Sequence, residues 1–240
     1  MAALGQGALQ PPRVHAIAWD KLPTPSGRMQ MNEALTAMSC ADLVDAVAAR
    51  QPAPSGGGAA ALVGALGVAL GSMAAEFTRG KRRYAAYEAD LTRMLDEAGG
   101  IRAALLDLVD ADAAGVVALT QAYAIPKDDP ARPMALERAT RGAMSAPLEM
   151  MRQVCRAIAI LEELGEKGSR LLLSDVGCGA LLCRASLEAA SLNVFVNTKG
   201  LADRELADAT EVECDQMLAE WCPRAEALAA RVMSDVRGGE

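Results

Sequence analysis

The longest apolar run in the chain spans residues 54–77, from Pro54-Ser-Gly-Gly-Gly into Ala- and Leu-rich sequence, with no charge before Glu76. It is too long for a strand, and alanine and leucine favour helix, so the pattern predicts one long helix. Gly56, Gly57 and Gly58 are expected to form a loop before it, free to adopt positive φ and open to close approach. Gly64, Gly67 and Gly71 then invite close pairing with a second helix. A basic cluster, Arg79, Lys81, Arg82 and Arg83, closes the stretch.

The rest of the chain is also helical in pattern. Ser39-Cys-Ala-Asp42 reads as a capping box opening a short helix over about 40–50 that ends before Pro52. Amphipathic spacing predicts helix from Tyr84 to about Leu108, with Gly99-Gly100 as a kink, and again from Ala103 to Tyr123, stopped by Pro126. A helix over about 134–164 contains Pro147, expected to bend it, and Gly165 and Gly168 terminate it. Leu171–Val196 is a second apolar segment; its Asn-Val-Phe-Val-Asn end alternates and is compatible with a strand as well as a helix. A last helix covers about 203–236, kinked at Pro223. The sum is an all-α helical bundle of long, kinked antiparallel helices, read as one domain over 36–240. Residues 1–35, with four prolines and no periodicity, form a Pro-rich leader expected to be disordered.

Composition narrows the function. Hydrophobic residues make up 52% of 240 residues and aromatics only 3%, which favours closely packed helices over a β sandwich. The run at 54–77 has the length of a membrane span. Its alanine and glycine content instead favours a buried core or a dimer interface, so no membrane partner is expected. A net charge of −7 disfavours nucleic acid, although the cluster at 79–83 could hold one anionic ligand. Six cysteines without a Cys-x-x-Cys pair read as reduced, mostly buried thiols of a cytoplasmic protein; no signal peptide is visible. The single histidine, His15, lies in the leader, so a His-dependent triad or a His-ligated zinc is disfavoured. Chemistry must rest on carboxylates, lysines, hydroxyls or thiols.

Several such groups stand out, each with two readings. Asp112, among small and apolar residues, is either a carboxylate of raised pKa fit for general-base work or part of a solvated helix face. Lys127 is an anion clamp or proton donor, or a lysine favoured by a helix C-terminus. Asp175, in Ser174-Asp-Val-Gly177, is a carboxylate kept for a ligand, or belongs to a helix cap. Asn193 and Asn197 share a helical face and could read a heterocycle's amide edge, or bond to backbone. Gly56–Gly58 are an anion cradle or a turn. Asp112 and Lys127 stand roughly 22 Å apart on a straight helix, and the glycines and Lys81 at least as far. A groove, or a site between subunits, fits these spacings better than a compact pocket.

Taken in order, Pro52-Ala-Pro-Ser-Gly-Gly-Gly-Ala-Ala-Ala, Gly80-Lys-Arg-Arg-Tyr84, Asp112 with Ala122-Tyr-Ala-Ile-Pro-Lys127, Ala146-Pro-Leu148, Ser174-Asp-Val-Gly177 and Leu192-Asn-Val-Phe-Val-Asn-Thr-Lys-Gly200 resemble the cyclodeaminase/cyclohydrolase family of folate enzymes. They cover about 40–205; Ser55 stands where that family usually has a first glycine. The resemblance implies an all-α homodimer acting on a folate without metal or other cofactor. It implies hydrolysis of 5,10-methenyltetrahydrofolate to 10-formyltetrahydrofolate, or alternatively formiminotetrahydrofolate cyclodeamination with release of ammonia. On that reading Asp112, Asp175 and Lys127 are the catalytic candidates, and Gly56, Gly57, Gly58, Lys81, Asn193 and Asn197 line the substrate groove.

Overall fold

The computed structural model describes residues 34–238. Six α-helices form α1 (Cys40–Ala48), α2 (Gly56–Thr78), α3 (Glu88–Ala124), α4 (Arg132–Lys167), α5 (Leu173–Thr198) and α6 (Arg204–Val236). No strand occurs among the described residues, and the Asn-Val-Phe-Val-Asn stretch is helical, inside α5. Helices α2 to α5 form an up-down-up-down ring, each antiparallel to its neighbours. Opposite positions show the sense: Gly58 meets Asp112, Arg93 meets Glu163, Ala143 meets Asn197 and Ala60 meets Ser186. Helix α6 covers α5 and α4.

Local sequence explains most helix ends. Ser39 caps α1 by accepting from the Asp42 amide, as the capping box predicts. Asp203 caps α6 by accepting from the Leu206 amide. Ile125-Pro126 ends α3, because a proline restricts the residue before it.

The loop expected at Gly56–Gly58 is corrected, and one of the two readings of Ser174-Asp175 is excluded. Gly56–Gly58 are not a loop and none has positive φ; they are the first turn of α2, with Ser55 as N-cap. The positive φ falls at Gly80, where the chain leaves α2. Gly99 and Gly100 lie within α3, which is continuous from Glu88 to Ala124, with Ala98 and Ile101 buried beside them. Ser174-Asp175 do not cap α5: Leu172 is the N-cap position, and no side chain caps it. Helices α4 and α6 run on through Pro147 and Pro223.

The core is built from Leu91, Met94, Ile101 and Leu105 of α3, Met150, Met151, Ile158 and Leu161 of α4, and Leu187 of α5. Against them α2 presents mainly glycine and alanine. A Cβ at Gly67 would lie 2.7 Å from Cys183 Sγ and 2.9 Å from the Gly179 carbonyl oxygen, so α2 and α5 touch backbone to backbone. Leu35, at the boundary expected for the leader, is buried, and its amide donates to Asp110 Oδ1 at 2.6 Å. Residues 1–33, His15 included, lie outside the described residues. Cys155, Cys183 and Cys214 are buried, and burial pushes each thiol up to about 12; Cys40 and Cys178 are exposed, so burial of the thiols holds only in part.

Candidate active site

Helix α2 begins at the level of Asp112 on α3 and Asn193 on α5, while α3 runs on for twelve further residues to Ala124. The shorter helix leaves one corner of the ring empty. The resulting cleft has a cavity of about 180 Å³, floored by Ser55 and Asp112 and walled by α3, α4 and α5. Val116, Leu119, Thr120 and Tyr123 line it from α3, Thr140 and Ala143 from α4, and Asn193, Val196 and Asn197 from α5.

Asp112 is its centre. The carboxylate is 3% exposed, and Oδ2 accepts from the Ser55 hydroxyl at 2.6 Å and the Gly58 amide at 2.8 Å. Oδ1 lies against Gly57 at the start of α2. Burial raises the pKa of the carboxyl; the bonds from Ser55 and Gly58 oppose the shift and are outweighed. The reading of Asp112 as a solvated face is therefore excluded. The Gly58 amide, at the positive N-terminus of α2, donates to this group, which favours the anion.

The glycines make the approach possible. A Cβ on Gly57 would lie 2.2 Å from Asp112 Oδ1, and one on Gly58 3.7 Å from Oδ2. Gly56 faces the Asn193 side chain. The Asn193 amide nitrogen donates to Ala189 O, and that of Asn197 to Asn193 O and Ala143 O. Backbone bonding thus fixes both side chains, and their carbonyl oxygens remain as acceptors for a ligand.

Asp112, Gly56, Gly57, Gly58, Asn193 and Asn197 come together as the sequence predicts. Lys127, Asp175 and Lys81 do not join them within one chain. Lys127 is exposed in the turn after α3, four residues beyond Tyr123. Asp175 sits in the first turn of α5, roughly 27 Å along the helix from Asn193. Lys81 follows the other end of α2, about 34 Å from Gly56. Both lie at the far end of the bundle, where the Ser169 amide bonds to Thr78 and the Arg170 amide to Tyr84. Sequence reasoning missed Ser55 as a ligand of Asp112, and Thr120, Tyr123 and Thr140 as cleft residues. Ser-Gly-Gly at a helix start is the N-cap signal that could have found Ser55. Among the described residues no group of three or more His, Cys, Asp or Glu side chains is placed to hold a metal ion.

The chain belongs to the formiminotransferase-cyclodeaminase family, whose sequence profile matches residues 39–216. It is 39% identical over 199 residues to methenyltetrahydrofolate cyclohydrolase of Methylorubrum extorquens, covering 81% of this chain and 93% of that protein. It is 32% identical to formimidoyltransferase-cyclodeaminase of Mus musculus over 78% of this chain, but spans only 36% of that longer protein. The fold matches formiminotetrahydrofolate cyclodeaminase of Thermotoga maritima with a TM-score of 0.74 and 28% identity, covering 83% of this chain and 99% of that one.

Proposed function

We propose that the protein hydrolyses 5,10-methenyltetrahydrofolate to 10-formyltetrahydrofolate. The observation that carries this reading is Asp112, a buried carboxylate at the floor of a cleft, in a chain whose cyclohydrolase relative matches nearly end to end. The methenyl carbon between the two nitrogens is already cationic, so water can attack it without a Lewis acid. Asp112 ionised stabilises the cation and takes a proton from the attacking water. The adduct opens by breaking the bond to the ring nitrogen, and Asp112 returns the proton to that nitrogen. The second proton of the water leaves to solvent. A carboxyl of raised pKa suits both steps, because it takes a proton from water more readily than an ordinary aspartate and holds it, ready for the ring nitrogen, at a pH nearer neutrality. Asn193 and Asn197 offer acceptors to the amino and amide edge of the pterin. No cofactor beyond the folate enters this scheme.

The likeness to the Thermotoga maritima cyclodeaminase favours a second reading, ring closure of a formimino group with loss of ammonia. Loss of methenyltetrahydrofolate absorbance above the spontaneous rate decides for hydrolysis. Ammonia from formiminotetrahydrofolate, without that acceleration, decides for deamination.

The working unit in this proposal is a cytoplasmic homodimer. Helix α2 is apolar on all sides, yet one side is left outside the ring: Leu66 is 52% exposed and Phe77 56%. Helix α5 lies beside it and exposes Leu181 and Leu192. Both helices are long and apolar enough to cross a membrane, but about half of each is buried against other helices of the bundle. A second copy on this face covers what remains.

A further inference from the structure

We propose that Thr140 is a specificity-determining residue of the cleft: its hydroxyl, set opposite Gly200, binds the 2-amino group and the neighbouring ring nitrogen of the pterin, and so selects a 2-aminopterin over other flat heterocycles. The inference rests on the folate reading of the site and is independent of which of the two reactions the site performs.

The first observation is a hydroxyl without a partner. Thr140 is 3% exposed, yet no hydrogen bond engages its side chain among the described residues. Every side-chain oxygen or nitrogen sealed from solvent among those residues has a partner. The Thr140 oxygen is therefore not sealed, and it opens into the cavity that Thr140 lines. Two other hydroxyls of the cleft are committed: Ser55 donates to Asp112, and Thr120 to the Val116 carbonyl. A hydroxyl taken from water without a hydrogen bond costs stability, so the fold alone would be better served by valine.

The second observation is its place. Gly115 of α3 packs level with Ala143 of α4, since a Cβ on the glycine would lie 3.0 Å from the alanine Cα. Asp112 and Thr140 each stand three residues from that level, in opposite directions because the helices are antiparallel, so roughly 9 Å separates them along the bundle. Asn197, whose amide donates to Ala143 O, lies between them. A pterin with its methenyl bridge at Asp112 passes its amide edge along Asn197 and brings its 2-amino end to Thr140. Val116, Leu119 and Val196 offer apolar walls to the ring faces. The chemistry matches: the 2-amino group donates, the adjacent ring nitrogen accepts, and one hydroxyl can answer both. Gly200 leaves the room. Its added Cβ would lie 3.5 Å from Thr140 Cγ2 and 3.8 Å from Oγ1, so a methyl there would occupy the space in front of the hydroxyl. The loop that carries Gly200 is fastened to α4 on either side of Thr140. Glu137 accepts from the Ala202 amide at 2.7 Å, and Arg141 pairs with Asp203 at 2.8 Å. This end of the cleft is thus set before a ligand arrives, which lowers the cost of binding.

Binding of a stable reduced folate to the full chain tests this without turnover. The probes are 5-formyltetrahydrofolate and its 2-desamino-2-methyl counterpart, each titrated by calorimetry. The wild type should prefer the 2-amino ligand roughly tenfold, the worth of one net hydrogen bond. Thr140→Val should bind the two ligands equally, with its unfolding temperature unchanged or raised, and Thr140→Ser should restore the preference. Gly200→Ala, whose methyl makes only ordinary contacts, should fold normally and weaken both ligands. A Thr140→Val chain that keeps the preference overturns the proposal, because the amino group is then read elsewhere. One that weakens both ligands to the same degree overturns it too, because the residue is then only structural. A wild type without preference, or undiminished binding to Gly200→Ala, has the same force. None of these results touches the hydrolytic reading, which turnover of methenyltetrahydrofolate decides. Conversely, a preference that depends on Thr140 in a chain without turnover sinks hydrolysis and leaves the pterin assignment. Failure to bind either ligand removes the folate reading and the proposal together.

Discussion

At the scale of single residues, two hydrogen bonds to one carboxylate oxygen set the chemistry. Asp112→Asn keeps an acceptor for the Gly58 amide and removes the charge, so the fold should persist. Activity should fall roughly 10²- to 10⁴-fold, the usual range for losing a general base. Measured turnover of the purified variant checks this. The raised pKa also predicts a stability profile. The folded protein holds the Asp112 proton more tightly than the unfolded chain, so stability falls as pH rises from the ordinary aspartate value to the raised one. Above the raised value this contribution is flat. Denaturant titrations across that window should show the fall in the wild type and not in Asp112→Asn. Ser55→Ala removes a bond that favours the ionised form, so the acid limb of the activity profile should move to higher pH. The same change removes the N-cap of α2 and should cost about 1 kcal/mol of stability. A pH–rate profile separates the two effects, because a lost cap alone leaves the limb in place.

At the scale of helices, the chain declares its elements more clearly than their arrangement. Alanine and leucine runs, Pro126 and the cap at Ser39 mark helices that the structure reproduces within a few residues. Gly56–Gly58 were open to more than one reading from sequence. A glycine signals positive φ or close approach, and here the approaching group is Asp112, more than fifty residues away. No local pattern carries that contact. Gly99-Gly100 illustrate the converse: the buried neighbours, not the glycines, decide that α3 continues. Asp175 and Lys81 lie apart from Asp112 within one chain for a third reason. Motifs in chain order do not say which end of an antiparallel bundle each one reaches. Gly67 gives the test at this scale. Its added Cβ would meet Cys183 and the backbone of Gly179, and a backbone atom cannot rotate away. Gly67→Ala should cost roughly 1–3 kcal/mol by forcing α2 and α5 apart. Gly142→Ala, in open space within α4, should be neutral or slightly stabilising. Thermal unfolding of the two variants side by side checks the contrast.

At the scale of the whole molecule, the question is why α2 is apolar on the side that faces away from the bundle. A surface helix ordinarily divides into an apolar stripe and a polar face. Here Leu66, Leu70, Met73 and Phe77 occupy the outward side, Leu62 and Val63 line a groove against α1, and Glu76 is the only charge on α2. In the proposed homodimer a second copy removes this surface from water. Folding and association are then linked, and the unfolding midpoint must depend on protein concentration. Raising the concentration tenfold should raise the wild-type midpoint by a few degrees, since each kcal/mol shifts a chain of this size by about 2–4 °C. Leu66→Arg places a charge at the centre of the face without touching the core or the cleft. It should abolish the concentration dependence and sediment as a monomer with its helix content intact. A monomeric Leu66→Arg with unchanged KM would show that each chain binds its substrate alone.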